Sequence, residues 1–326
     1  MAKAEREAVV IGAGVIGLTT AIRLADAGFS VRVHAAAPPE ETTSRIAGAM
    51  WGSTFAGPAD KVTAWAEESL AVFRELAADP GSGVVIGSGV LASSTGEAPP
   101  PQLFPGVEVR PCDPPEGFAA AFRVALPVID MPRHLNHLVN RLRTAGVELE
   151  LRELESLSEA ADEAPVVVNC AGMGARKLVP DPDLRPVRGQ HVVVENPGLD
   201  EFFTTEPFGP AWTSWFPHRD RVVLGSVAQE DDWEMEPRES DANLILERCA
   251  ALEPRLRDAR VIGHQVGLRP AREVVRVEAE ALGAAHCIHN YGHGGTGVGL
   301  SWGCAREVVS LLEGGAGSTW TTSRSS

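Results

Sequence analysis

Three glycines of the stretch GAGVIG, Gly12, Gly14 and Gly17, follow an apolar β-branched run and open a segment with helical periodicity. In that setting a G-x-G-x-x-G turn receives the pyrophosphate of a dinucleotide. The first glycine allows the tight turn, the second lets phosphate approach the backbone, and the third lets the helix close on the strand. The helix N-terminus then faces the negative charge. A nicotinamide-binding unit places an acid at the end of the second strand. Here that strand runs into HAAAPPEE, with Ala36 and Ala37 in the expected place and Glu40 and Glu41 a few residues late. This argues against a nicotinamide dehydrogenase. The hydroxyls of Thr42, Thr43 and Ser44, followed by Arg45, can hold phosphates or form an ordinary polar loop.

Arg269, in GLRPAR, follows an apolar stretch and precedes a proline. An arginine fork binds a carboxylate with two parallel hydrogen bonds, and the same fork also makes structural ion pairs. Near the C-terminus, HNYGHGGTGVGLSWGCA (289–305) holds six glycines in seventeen residues and the single tyrosine of the chain, Tyr291. Clustered glycine implies positive φ angles or close approach of a ligand. The GLSWG within it matches the G-x-S-x-G elbow of hydrolases, but glycine loop rather than strand precedes Ser301, which reads as a helix start. His134 and His137 lie three apart on a helix with no partner cluster, and read as surface or amphipathic positions. His218 is a candidate for a pocket or a solvated turn. No metal site is expected.

These residues need elements to hold them. AVVIGAGVIG, LTTAIRLADAGF and SVRVHA form a strand, a helix closed by Gly28 and a second strand, a β-α-β unit. Helices are expected over 60–78, 131–146 and 240–254, and APVVVNCAG (164–172) reads as a buried strand that resumes the α/β layer. RGQHVVVENP, AWTSWFP and RVVLGSVAQ alternate as half-buried antiparallel strands. VIGHQVGLRPA leads back to the glycine-rich segment and a last helix, CAREVVSLLEG. The pattern is a discontinuous α/β nucleotide-binding domain with a β-rich domain inserted in pieces.

The 326 residues are 44% hydrophobic and carry a net charge of −15. That length accommodates two domains. The acidic balance disfavours nucleic acid, and no basic amphipathic segment suggests a membrane. MAKAEREAVV has no signal-peptide core. Five scattered cysteines without a CxxC pair read as free thiols of a reducing cytoplasm.

IGAGVIGLTTAIRLADAG, TTSRIAGAMW, VVNCAG, GLRPAR and HNYGHGGTGVGLSWGCA occur in that order along the chain. Together they resemble the D-amino-acid oxidase family of flavoproteins. The resemblance implies a Rossmann-like FAD-binding domain (1–58, 130–190 and 270–326) and an inserted, mainly antiparallel substrate domain (59–129 and 191–269). It implies that Gly12, Ala13, Gly14, Val15, Ile16 and Gly17 hold the FAD pyrophosphate and ribose, with Thr42, Thr43 and Ser44 beside the phosphates. Gly48, Ala49 and Met50 would lie near flavin N5, Met50 also facing substrate, and Leu154 near the adenine. Gly294, Gly295, Thr296, Gly297, Val298 and Gly299 would run along the flavin pyrimidine side. Arg269 would clamp the substrate carboxylate, and the Gly295 carbonyl would accept from its amine. Tyr291 would pack beneath the loop.

One feature departs from the family. Its tyrosines in the segment matching 207–221 are missing; Pro210 and Ser214 stand approximately in their places, with Trp212 and Trp215 nearby as N–H donors. The implied reaction takes a D-amino acid and O2 to a 2-oxo acid, ammonia and hydrogen peroxide by hydride transfer to flavin. Alternatives are a D-aspartate oxidase, for which Arg219 or Arg221 would supply a second cation, a glycine- or sarcosine-type amine oxidase, and a non-catalytic nucleotide-binding scaffold. A homodimer is left open.

Overall fold

The computed structural model describes residues 6–52, 56–205 and 212–315. In chain order the elements are β1 (Glu7–Ile11), α1 (Val15–Asp26), β2 (Ser30–Ala35), α2 (Ala59–Leu76), β3 (Val84–Ser93), β4 (Arg110–Cys112) and β5 (Ala120–Ile129). Next come α3 (Met131–Thr144), β6 (Glu148–Leu151), α4 (Leu157–Ala161), β7 (Val166–Asn169), α5 (Ala175–Leu178), β8 (Arg185–Glu195), β9 (Phe202–Thr204) and β10 (Ser214–Pro217). The chain ends with β11 (Arg221–Gly225), β12 (Gln229–Glu230), α6 (Glu239–Leu252), β13 (Val261–Leu282), β14 (Ala285–His293) and α7 (Gly297–Gly315).

Five parallel strands lie in the order β6-β2-β1-β7-β14. They are short apolar runs because both faces are covered. In β1, Ala8 and Val10 join the large core with α1, α2, α3 and α7, while Val9 and Ile11 pack on the other face with Leu154, Leu157 and Val167. On the first face α7 runs against α2 so closely that a Cβ at Gly303 would strike the Trp65 backbone. Trp302 is fully buried beneath the Arg23 and Arg141 guanidinium groups, 5.4 and 5.6 Å from the ring centroid.

A mixed, mainly antiparallel layer, β4-β5-β3-β9-β10-β11-β8, completes the sheet. It rests on α6 through Val192, Val194, Phe203, Trp215, Leu224, Ile245 and Cys249. The join is β13, a 22-residue strand. Its first half pairs with β8 and its second with β14, and the register breaks between Ala271 and Arg276. The sequence did not signal this strand beyond VIGHQVGLRPA, because it changes neighbour halfway and its faces are only partly buried. Arg269 lies at the end of its first half, where the two layers meet.

Two further expectations change. HNYGH is the end of β14, and α7 begins at Gly297, so only Gly294 to Thr296 form a turn. Gly299 and Gly303 are helical and serve packing: a Cβ at either would strike the backbone of Gly52 or Trp65. Among the described residues no helix is long and apolar enough to cross a membrane.

Candidate functional site

The parallel strands β1, β7 and β14 all end at one edge, and a cavity of about 430 Å³ opens there. In open α/β sheets ligands bind outside the carboxyl ends of the strands. The turn after β1 forms the cavity floor. Gly12 has φ +111°, and a Cβ there would lie 2.5 Å from the Cys170 carbonyl oxygen. At Gly17 a Cβ would overlap the Gly12 carbonyl, so α1 closes directly on the turn. The α1 N-terminus has no acid in its first turn and no side chain of its own to cap it. The Val15 N–H donates to Ser44 Oγ at 3.0 Å, which fixes the 42–44 loop beside the helix end. The result is a cradle of backbone N–H groups and hydroxyls at the positive end of a helix dipole, suited to phosphates.

Gly12, Ala13, Gly14, Val15, Ile16, Thr42, Thr43, Ser44 and Leu154 line this cavity, as do Arg269, Gly294, Gly295, Gly297 and Val298. Leu154 is buried beside Ala36 and Ala37 at one end. Glu41 reaches the same wall, whereas Glu40 does not. The other predicted residues stand off the wall. Gly17 is under the turn and Gly299 is against Gly52. Gly48 packs on Phe216, the Ala49 carbonyl accepts from the Ile129 N–H at 2.8 Å, and Met50 forms a bridge with Val128. Thr296 turns its hydroxyl to the His293 carbonyl at 3.0 Å.

The substrate-side predictions divide. Trp212 covers Arg269, whose Cζ is 5.4 Å from the ring centroid. Ser214 is buried, and its Oγ has no hydrogen-bond partner among the described residues. Trp215 is removed from the candidates: it points to the opposite face, stacks on Phe203 at 4.4 Å and donates to the Glu201 carbonyl at 3.2 Å. Pro210 lies outside the described residues.

Arg269 dominates the electrostatics. Burial holds its pKa down at about 10, and no charged partner among the described residues offsets it. Its contacts are neutral: the Val227 carbonyl at 3.1 Å, the Arg188 carbonyl at 3.3 Å and Ser226 Oγ at 2.9 Å. His191 also lines the cavity. A carbonyl can only accept, so His191 Nδ1, 2.9 Å from the Ile46 carbonyl, carries the proton and Nε2 is bare. Burial first, then the Arg269 charge, push its pKa down to about 4. Arg269 therefore has a neutral imidazole beside it. His293, across the cavity, is held at about 3 by burial, and its Nε2 has no hydrogen-bond partner among the described residues.

Tyr291 is a support. Its hydroxyl donates to Asp181 at 2.6 Å and accepts from Arg276 at 2.6 Å, anchoring β14 before the turn. Behind the site, Arg188 is fully buried and spends its donors on Asp241, Gln229, Gln190 and two carbonyls. Neither Gly189, His191 and Ser226 nor this network was legible in the sequence. The only hint was polar Arg188 and Gln190 alternating with Gly189 in an apolar strand.

The other motifs carry no site chemistry. Ser301 lies inside α7, with its hydroxyl on the Val298 carbonyl at 2.9 Å. His134, expected at the surface or on an amphipathic face, is fully buried, with Nδ1 donating to the Ser82 carbonyl at 2.9 Å. His218 sits in the β10–β11 turn, away from the cavity. Arg219 is exposed, Arg221 pairs with Asp130 at 2.7 Å, and neither lines the cavity. Glu280, Cys287 and His289 converge in the manner of metal ligands. However, Asn169 Oδ1 accepts from the Ala171 N–H at 3.2 Å, which turns its amide N–H toward His289 Nδ1 at 3.4 Å. His289 Nε2 therefore carries the proton and donates to Glu280 at 2.9 Å, a structural role.

A phosphate cradle at the strand ends, continuous with a cationic chamber, defines a dinucleotide-dependent enzyme class in which cofactor and an anionic substrate meet in one cavity. The chain belongs to the family of FAD dependent oxidoreductases: the family's model matches residues 7–311. It is 48% identical over 309 residues to a D-amino-acid oxidase of Rubrobacter xylanophilus, covering 93% of this chain and 95% of that one. A D-amino-acid oxidase of Streptomyces coelicolor is 46% identical, covering 94% and 96%. Among solved structures, glycine oxidase from Bacillus cereus superimposes with a TM-score of 0.76 at 20% identity, covering 95% of each chain. The cavity fits the cofactor: the positive φ of Gly12 seats the turn tightly against Cys170, and the α1 N-terminus and Ser44 line the cavity beside it, where phosphates would be held.

Proposed function

We propose that this chain oxidises D-amino acids, giving 2-oxo acids, ammonia and hydrogen peroxide. The observation that carries the reading is Arg269, a charge in the cofactor cavity that no carboxylate of the described residues neutralises. A buried, unpaired guanidinium is costly unless an anion arrives. The two relatives named as D-amino-acid oxidases support the choice of substrate.

FAD, when bound, takes the hydride from the substrate's α-carbon and passes the electrons to O2. The protein's work is to bind and orient. The backbone of Gly12 to Ile16 and the hydroxyls of Thr42 to Ser44 hold the phosphates, and Leu154 lies at the adenine end. Arg269 takes the substrate carboxylate on its fork, and the Gly295 carbonyl accepts from the amine. Trp212 shields the guanidinium and keeps its charge poorly hydrated. Two fixed points on the substrate aim the α-C–H, and such orientation can supply roughly 7–11 kcal/mol of the barrier.

Among the described residues the cavity offers a second carboxylate no uncommitted cation: Arg152 and Lys177 on its wall are paired with Glu163 and with Glu153 and Glu155. Neither Arg219 nor Arg221 lines the cavity, and residues 53–55 and 206–211 contain no lysine or arginine. Amino acids with neutral side chains are therefore favoured over D-aspartate. We assign the cofactor domain to 1–58, 130–190 and 270–326 and the substrate domain to the remainder, and a cytoplasmic setting, which the five free cysteines support.

The test is the visible spectrum of the FAD-loaded protein without oxygen, before and after D-alanine, L-alanine, glycine and D-aspartate separately. Bleaching by D-alanine and not L-alanine is expected. Bleaching by glycine or D-aspartate alone would move the activity to a sister enzyme, and no bleaching by any of them would end the reading.

A further inference from the structure

Among the described residues every hydrogen-bond partner of Arg269 is uncharged, and one of them is a side chain. Of its five N–H groups, two on Nη1 meet the Val227 and Arg188 carbonyls and one on Nη2 meets Ser226 Oγ. The Nε–H and the second Nη2 N–H have no protein acceptor among the described residues. These are neighbouring donors on one edge of the guanidinium, the pair a carboxylate can grip with both oxygens.

Ser226 is oriented for this contact. Its hydroxyl has the Val227 carbonyl at 3.2 Å as acceptor, which turns a lone pair toward Nη2 at 2.9 Å. The Val227 carbonyl also accepts from Nη1 at 3.1 Å, so the three groups interlock. Gly189 leaves the seat open, since a Cβ there would overlap Cζ, Nη1 and Nη2. The buried acid Asp241, on α6, is engaged by β8 away from this seat: it pairs with Arg188 at 2.8 Å. Arg188 is saturated and holds its strand in place, so that its carbonyl can receive Arg269.

We propose that Ser226 is a positioning residue for the substrate carboxylate: its hydroxyl seats Nη2 so that the Nε–Nη2 edge faces the cavity, and its neutrality leaves the Arg269 charge to the ligand. The proposal rests on the reading of Arg269 as the carboxylate site. An aspartate at 226 would neutralise the guanidinium from within. An alanine would free it to turn away from the cavity.

The experiment uses FAD-loaded protein and two readouts: benzoate binding, followed by the change it causes in the flavin spectrum, and KM and kcat with D-alanine. Losing one hydrogen bond to a charged group predicts that Ser226→Ala weakens benzoate and raises KM about ten- to hundredfold. The turnover number changes much less, and FAD affinity stays at the parent value. Ser226→Thr, which keeps the hydroxyl, restores both constants, and Ser226→Asp nearly abolishes benzoate binding. Should Ser226→Ala not fold, Ser226→Cys, similar in volume but a weaker acceptor, is read in the same titration and is expected to bind benzoate several-fold more weakly. Benzoate affinity and KM within twofold of the parent in the alanine or cysteine variant would overturn the proposal, as would tight benzoate binding by Ser226→Asp. Because benzoate binding needs no turnover, parent protein that binds benzoate but ignores D-amino acids would sink the functional reading and leave Ser226 standing.

Discussion

The guanidinium of Arg269 occupies the space that a side chain on Gly189 would need. The two residues lie on neighbouring strands: Gly189 pairs with Gly267 in the β8–β13 register, two residues before Arg269. Glycine here is required by a side chain crossing over it, not by an unusual φ angle.

Gly189→Ala therefore tests the seat. A methyl group pushes the fork off its three acceptors and out of line with the cavity. A displacement of about 1 Å at a reacting centre can cost about a hundredfold. A loss in kcat/KM of that order is expected with FAD still bound, since a methyl at Gly189 meets the Arg269 fork and not the Gly12 turn. Steady-state kinetics beside a flavin-to-protein ratio decide it. Parent-like kinetics would show that the guanidinium need not rest there.

Much of the cofactor half was legible in the sequence, and for a local reason. The turn at Gly12, the helix it opens and the strand before it are neighbours in the chain, so ten residues state the whole device. The substrate half is not local. Arg269 could be picked out, but what makes it a free charge is a glycine 80 positions earlier and a serine 43 positions earlier, brought together only by the pairing of β8 with both β13 and β11. The opposite error occurred at Gly299 and Gly303. Their clustering suggested a ligand, whereas the close neighbours are the Gly52 and Trp65 backbones. Glycine content does not tell a ligand's approach from a helix's. Trp215 was misread for a related reason: one position along a strand changes the face, and Ser214 and Trp215 point opposite ways.

A second prediction concerns alkaline pH. Burial lowers Arg269 to about 10, so the free enzyme loses this charge as pH rises through that value. Carboxylate affinity is full below it and is lost above it. Benzoate, which has no titrating amine, isolates the effect. Its affinity should be flat from pH 7 to 9 and fall by about tenfold for each unit well above pH 10. Flat binding up to pH 11.5 would show that the guanidinium keeps its proton in the free protein.

Acid should act on the fold. His134, His191 and His218 are held at about 4 and His293 at about 3, each chiefly by burial. Lowered histidine values mean that the unfolded chain binds protons that the native state refuses. Stability is then complete above pH 6.5 and drains away as pH falls toward 4. His134, fully buried, alone accounts for about 3 kcal/mol of that loss. Thermal unfolding of the FAD-loaded protein should move steeply downward from pH 6.5 to 4.5. Calorimetry in buffers of differing ionisation enthalpy should find net uptake of about three to four protons per molecule unfolding at pH 5. A constant midpoint over that range would contradict the burial of these rings.

The last prediction returns to the only tyrosine. Tyr291 touches the cavity wall, and a phenol in an oxidase cavity invites a catalytic role. Its hydroxyl, however, is occupied by Asp181 and Arg276, and burial followed by the Asp181 contact pushes its pKa up to about 12. Asp181, in turn, is pushed up by burial, but the Tyr291 hydroxyl, then Arg272 and Arg276, outweigh that and hold its carboxyl below the usual value. Tyr291→Phe leaves the ring in its packing and removes only this link. The carboxylate keeps its arginines and loses a short neutral donor. A loss of about 1–3 kcal/mol in stability is expected, with parent-like turnover and the turn at Gly294 weakened only in its hold on FAD. Denaturant titration and kinetics at saturating FAD separate the two effects. A variant that binds FAD normally yet fails to turn over would return Tyr291 to the reaction itself, and the strut between β14 and Asp181 would have to be given up as the reason for its place in the chain.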